Sequence, residues 1–237
     1  MKEYFDKIYR KGFADFAGEL RSRLEKQEKT FVITANPETL MIGQDNESFD
    51  RVLKSDKTII VPDGIGVVKA ANILNIPLKE RVTGVEIVQK LFEYLNEMNG
   101  SLYLLGAKKE VLDKLVEKLE NEYPGIVLAG HCDGYVKDKD AVFDKIVEAR
   151  PDVVLVALGI PAQELLIDKH YDRFEKGIFI GVGGSFDVLS GTKKRAPKIF
   201  IKLNLEWLYR IASEPKRIKR FYVSNVKFIS IIRKMRG

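Results

Sequence analysis

Residues 177–197 read GIFIGVGGSFDVLSGTKKRAP. Ile178, Phe179 and Ile180 form a short unbroken apolar run bounded by glycine, the pattern of a strand covered on both faces. The run ends in Gly183-Gly184 and, a few residues on, meets Lys193, Lys194 and Arg195. Glycines at the carboxyl end of a strand let a ligand approach the backbone. A helix start just after them favours a phosphate, and cations beyond favour it further. Working outward, the same kind of run recurs as FVITA (31–35), TIIVP (58–62), SLYLLG (101–106), IVLAG (126–130) and DVVLVALG (152–159). Between them lie helical stretches. KKEVLDKLVEKLENEY (108–123) puts Val111, Leu112, Leu115, Val116 and Leu119 on one stripe, and DKDAVFDKIVEAR (138–150) does so with Val142, Phe143, Ile146 and Val147. Strand and helix alternate, which predicts an α/β fold: a Rossmann-like, mostly parallel sheet sandwiched by helices. After Pro197 no strand follows, and two helical stretches are broken at Glu214-Pro215. The expected division is an α/β core over 1–195 and a helical appendage over 196–237.

The chain has 237 residues, 45% of them hydrophobic, enough for one sizeable core. A single cysteine, Cys132, excludes an intrachain disulfide, and with only two histidines it leaves little for a zinc site. No metal and no cofactor are expected, and a reducing cytoplasm suits this usage. The opening MKEYFDKIYRKGFADF lacks the apolar core of a signal peptide. No run approaches the roughly 18 apolar residues of a spanning helix. The net charge of +6 is unevenly spread: residues 193–237 carry 14 Lys and Arg against 2 Glu, or +12, which leaves −6 on the first 192. Such asymmetry points to a polyanionic partner.

Ligands of open parallel sheets bind outside the carboxyl ends of the strands. Here those exits are Thr34-Ala35-Asn36-Pro37-Glu38, Asp63-Gly64-Ile65-Gly66, Gly106-Ala107, Gly159-Ile160-Pro161-Ala162-Gln163-Glu164 and Gly183-Gly184-Ser185-Phe186-Asp187. Singly each has a plain alternative: a turn and helix cap for DGIG, tight packing for GVGG. The glycines do not match the dinucleotide pattern G-x-G-x-x-G, against a nicotinamide enzyme. Asp138-Lys139-Asp140 resembles a metal-binding Asp-x-Asp, but before a helix it reads as a cap. His131 and His170 lack a metal-spaced partner and read as surface or loop residues.

In order, the exits join further motifs: Glu80-Arg81-Val82-Thr83-Gly84, Gly134-Tyr135, Lys194-Arg195-Ala196-Pro197, Leu205-Glu206-Trp207-Leu208-Tyr209-Arg210, then Glu214-Pro215 and Arg217. Over residues 30–220 the series resembles the WecG/TagA/CpsF glycosyltransferases. The resemblance implies an inverting, metal-independent transfer of a hexosamine from a UDP-hexosamine donor to GlcNAc linked to undecaprenyl diphosphate. In the teichoic acid branch the donor is UDP-N-acetylmannosamine; capsule or exopolysaccharide synthesis with another UDP-sugar is the alternative. Such a reaction needs a base for the acceptor hydroxyl and positive charge for the departing diphosphate.

The resemblance assigns Asp63 as the base, with capping as the alternative. Thr34 and Asn36 match the first polar motif and would hydrogen-bond sugar, again with capping as the rival. Arg81 would hold phosphate, or form an ion pair with Glu80 or Glu86. Gln163 matches a sugar ligand. Gly183, Gly184 and Ser185 would offer backbone N–H groups to the nucleotide, and Gly64, Gly106 and Tyr135 complete the substrate-binding set. Arg210, Arg217 and Arg220 match arginines that bind the donor diphosphate; a solvated basic helix face is the alternative. Three departures stand out. Glu86 replaces the usual Asp of the Thr-Gly stretch, Ala162 stands where Lys is common, and residues 1–29 read as helix where a short strand is usual.

Tyr209, Ile211, Phe221, Tyr222, Val223, Val226, Phe228, Ile229, Ile231, Ile232 and Met235 share the tail with its cations. A basic amphipathic helix suits an anionic membrane surface. The expectation is a cytoplasmic protein held peripherally on the inner leaflet, with packing on the body or in a homo-oligomer as the alternative. A nucleic-acid-binding module would use the basic tail but leaves the clustered exits without a role. A binding protein for nucleotide sugars without turnover is the remaining class.

Overall fold

The structure is a computed structural model that describes residues 1–213 and 217–236; at 198, 210, 217, 219–221 and 236 it describes the backbone alone. Six strands are present: β1 (Thr30–Ala35), β2 (Thr58–Pro62), β3 (Ser101–Gly106), β4 (Val127–Cys132), β5 (Val153–Ala157) and β6 (Ile178–Gly181). Every run expected to be a strand is one. All pairings are parallel, in the order β2-β1-β6-β5-β3-β4. Glycine-bounded IFI thus becomes an interior strand, paired with β1 and β5.

The helices ahead of β3 are α1 (Lys2–Lys7), α2 (Phe13–Glu25), α3 (Pro37–Asp45), α4 (Glu47–Lys54), α5 (Ile65–Ile73) and α6 (Gly84–Met98). Those between β3 and residue 196 are α7 (Lys109–Glu122), α8 (Lys139–Ala149), α9 (Ala162–Tyr171) and the short α10 (Ser185–Leu189). Period-two alternation sorts the strands' side chains between two cores. Phe31, Ile33, Val154, Val156 and Phe179 meet α1, α3, α4, α5, α8 and α9 on one face. Val32, Val153, Leu155, Ile178 and Ile180 meet α2, α6, α7 and α10 on the other. The N-terminal region is helical as expected, with a single parallel bridge from Ile8 to Ile60.

The chain ends in α11 (Lys198–Lys202), α12 (Glu206–Ser213) and α13 (Arg217–Arg236). The tail residues expected on a membrane divide. Phe228 and Ile232 are 1% and 0% exposed and belong to the first core. The Phe228 ring stacks on Phe5 at 6.4 Å, and Lys227 pairs with Asp45 of α3 at 2.8 Å. Ile231 and Met235 pack partly against the same core. Four residues of spacing put Phe228 and Ile232 on one helix face, and that face sits on α3 and α5. Tyr222, Val223, Val226 and Ile229 remain exposed. The Phe221 side chain lies outside the described residues.

Candidate active site

Asp63 follows β2 and is tied to the neighbouring exit, its N–H donating to the Ala35 carbonyl at 2.8 Å. Its carboxylate Oδ2 accepts from the N–H of Gly84 at 3.2 Å. Gly84 is the first residue of the 15-residue α6, so the carboxylate stands at a positive helix end. A Cβ on Gly84 would lie 3.6 Å from Asp63 Oδ2 and 3.7 Å from Thr34 Oγ1, which shows how closely these two site residues converge. Asn36 does cap: its Oδ1 accepts from the Thr39 N–H at 3.0 Å. It also faces the cavities described next.

Two cavities meet here. The first, of about 560 Å³, is lined by Thr34, Asn36, Asp63, Gln163, Gly183, Gly184 and Ser185 from the expected set, together with Lys193, Lys194 and Arg195. The second, of about 440 Å³, has Asp63, Gly64 and Arg81 beside a more apolar lip that includes Ile65, Trp207, Ile211 and Ile229. Asn36, Glu38, Asp63 and Glu206 line both, so Asp63 stands where the two join.

Gly106 and Tyr135 line neither cavity. The reason is strand order. The exits of β2, β1, β6 and β5 lie side by side, whereas β3 and β4 occupy the far end of the sheet. Gly106 answers to packing instead: with φ +124°, a Cβ there would fall 2.3 Å from the Ala157 carbonyl oxygen. Tyr135 is exposed.

Beside α10 the positive charge comes from side chains. A helix of five residues, as α10 is, has too little dipole to hold a phosphate by itself. The turn after it carries Lys193, Lys194 and Arg195 into the cavity wall. Arg195 donates to Glu86 Oε1 at 2.9 Å, and Glu86 Oε2 accepts from the hydroxyl of Thr83, the cap of α6, at 2.6 Å. The Glu86 side chain thus reaches both Arg195 and Thr83. Arg195 lines the first cavity; the motif Lys194-Arg195-Ala196-Pro197 carries it in the sequence without giving it a role of its own.

Arg81 pairs with neither Glu80 nor Glu86. Its Nη1 lies 3.5 Å from Glu206 Oε2, with the two side chains 16% and 9% exposed. Glu206 opens α12, so the largely buried pair seats this helix over the junction of the cavities. The side chains of Arg210, Arg217 and Arg220 lie outside the described residues.

The glycines of GVGG divide the work. A Cβ on Gly181 would lie 2.6 Å from Gln163 Nε2 and 2.7 Å from Glu164 Oε1, so this glycine makes room for two side chains. Gly183, at φ +47°, turns the chain out of the strand. Contrary to the expectation that their N–H groups meet a nucleotide, that of Gly183 donates to Gln163 Oε1 and that of Ser185 to the Val182 carbonyl, each at 3.0 Å. Gln163 and Glu164 are themselves buried. Burial pushes the Glu164 carboxyl up to about 7 from 4.5. Between those values the unfolded chain has lost a proton that the folded one keeps, so stability falls as pH rises through this window. The full penalty, on the order of 3 kcal/mol, is reached above it. Glu164→Gln escapes the penalty. It is expected to melt higher than wild type at pH 8, with the gap narrowing by pH 5; an equal gap at both pH values would contradict this origin.

Asp138 caps α8, accepting from the Ala141 N–H at 2.9 Å, and Asp140 pairs with Lys169 at 2.7 Å and His170 at 2.6 Å. The capping reading of Asp138-Lys139-Asp140 therefore holds. His170 is a buried residue, 4% exposed and stacked on Phe143, where a surface or loop position was expected. Side chains of α8 and α9 enclose it, which sequence spacing did not reveal.

The sequence model of the glycosyl transferase WecG/TagA/CpsF family matches residues 6–236. The chain belongs to this family. This glycosyltransferase is 39% identical over 211 residues to a protein of Bacillus spizizenii, covering 89% of the chain and 81% of the relative. It is 44% identical over 190 residues to a Bacillus subtilis protein, covering 80% and 73%. A Staphylococcus aureus protein is 39% identical over 191 residues, with 80% and 74% covered. All three relatives are named N-acetylglucosaminyldiphosphoundecaprenol N-acetyl-beta-D-mannosaminyltransferase. Among the described residues no helix is long and apolar enough to cross a membrane.

Proposed function

We propose that this glycosyltransferase moves N-acetylmannosamine, with inversion, from a UDP-linked donor to GlcNAc carried on undecaprenyl diphosphate. The observation that carries the reading is the position of Asp63 at the junction of two unlike cavities. The cationic cavity suits the sugar nucleotide, and the apolar-lipped one suits the lipid-linked acceptor. Asp63 takes the proton of the acceptor hydroxyl. That oxygen bonds to the anomeric carbon as the bond from this carbon to the UDP oxygen breaks. The charge left on UDP faces Lys193, Lys194 and Arg195, which take the part a divalent ion plays elsewhere. Arg210, Arg217 and Arg220 complete the diphosphate site in this proposal, and residues 196–237 act as one appendage that closes it.

The same appendage places the enzyme on the inner leaflet of the membrane. Ile199, Leu203, Trp207 and Leu208 are exposed on α11, α12 and the link between them, as are Ile218, Tyr222, Val223, Val226 and Ile229 on α13. They adjoin cations and the lip of the second cavity, an arrangement that suits a lipid surface. The direct test is a panel of UDP-hexosamines with a short-chain lipid-diphosphate GlcNAc, read by mass spectrometry of the lipid product. A single β-linked N-acetylmannosamine added at equal rates in EDTA and in Mg²⁺ is expected. Transfer of another sugar would revise the donor, and strict dependence on a divalent ion would overturn the role given to the cationic turn.

A further inference from the structure

Gln163 holds two strand exits at once. Its Oε1 accepts from the N–H of Gly159, after β5, at 3.1 Å and from that of Gly183, after β6, at 3.0 Å. One oxygen engaged by two N–H groups fixes how the amide faces, and its Nε2 points the other way. There Glu164 receives it, Oε1 lying 2.7 Å from Nε2. Glu164 is 1% exposed and lines neither cavity. Its Oε2 is buried without a hydrogen-bond partner among the described residues. A buried carboxyl with an unmet oxygen weakens a fold compared with an apolar side chain of the same size. The chain nonetheless makes space for it by placing glycine at 181.

We infer that Glu164 is a positioning residue for the first cavity: by accepting from Gln163 Nε2 it keeps the amide turned so that its oxygen clasps Gly159 and Gly183. The inference rests on the proposed function for what the cavity holds, but the clasp itself stands apart from it. Oε1 serves as acceptor whether or not Oε2 carries a proton, so glutamine at this position keeps the clasp. Methionine has the same length and no acceptor. With it, the inward N–H groups of Gln163 lose their partner, the amide is free to turn, and both glycine N–H groups are released.

The test is amide hydrogen exchange at Gly159 and Gly183 in Glu164→Met and Glu164→Gln, with thermal melts and UDP titration calorimetry at pH 8. In Glu164→Met both amides are expected to exchange at least about tenfold faster and UDP to bind at least about tenfold more weakly, while the melting temperature holds or rises. Glu164→Gln is expected to keep wild-type exchange and affinity. Unchanged exchange in the methionine variant would overturn the inference. So would acceleration spread over all six strands with a matching fall in melting temperature, since that marks simple packing. Glu164→Leu serves as a second apolar variant, and failure of both to fold would also count against a positioning role. If wild type does not bind UDP, the donor reading falls while the exchange measurement still decides the clasp.

Discussion

Asp63→Asn is expected to lower kcat by about a thousandfold while UDP affinity stays within about twofold. Asparagine has the shape of aspartate, and its Oδ1 can still accept from the Gly84 N–H that now meets the carboxylate at 3.2 Å. The backbone bond from Asp63 to Ala35 is unaffected, so the strand exits keep their places. In the proposed mechanism, what disappears is the ability to take a proton from the acceptor hydroxyl. A factor of a thousand corresponds to about 4 kcal/mol of lost transition-state stabilisation, within the range for a general base. Steady-state UDP release and titration calorimetry separate turnover from binding. Unchanged turnover would remove the base role. A parallel collapse of UDP binding would mean that Asp63 shapes the cavity and does not act on the hydroxyl.

The second large effect is expected at the membrane. Val223 and Val226 are 57% and 49% exposed on α13, turned away from the docked Phe228 and Ile232. The double change Val223→Asp, Val226→Asp leaves the core contacts alone, so the melting temperature is expected to stay near wild type. Each valine moved from water into the lipid interface contributes on the order of 1.5 kcal/mol. Two carboxylates in their place also face anionic headgroups. Partition onto anionic vesicles is therefore expected to fall at least about a hundredfold, measured by co-sedimentation. Equal partition by the variant would remove the membrane role of this face. A changed sedimentation coefficient with intact vesicle binding would make it a contact between copies of the chain.

The strands were legible because burial on both faces of a parallel sheet demands unbroken Val, Ile and Phe runs, and Val153–Ala157 and Ile178–Gly181 have no other use. The exits were legible too as glycine, small polar residues and an acid such as Asp63 after the strands, and most of those expected line the two cavities. Caps followed from local chemistry, as at Asn36 and Asp138. These features depend on residues a few positions apart.

Partnerships across the chain were not legible. Arg81 with Glu206, Arg195 with Glu86 and Lys227 with Asp45 join residues more than a hundred positions apart, and nothing local selects one acid over another. For GVGG the sequence leaves a ligand's approach and tight packing both open, and at Gly181 packing decides, since the glycine makes space for Gln163 and Glu164. Phe228 and Ile232 looked like membrane residues and proved to be core, because periodicity marks an apolar face without saying what covers it. The amino-acid sequence by itself determined the strands, their order along the chain and the chemistry of each exit. The tertiary structure alone decided which exits are neighbours: sheet order is set by how helices of particular length and apolar face pack across the strands. That order brings Thr34, Asp63, Gln163 and Gly183 to one cavity and leaves Gly106 and Tyr135 outside it.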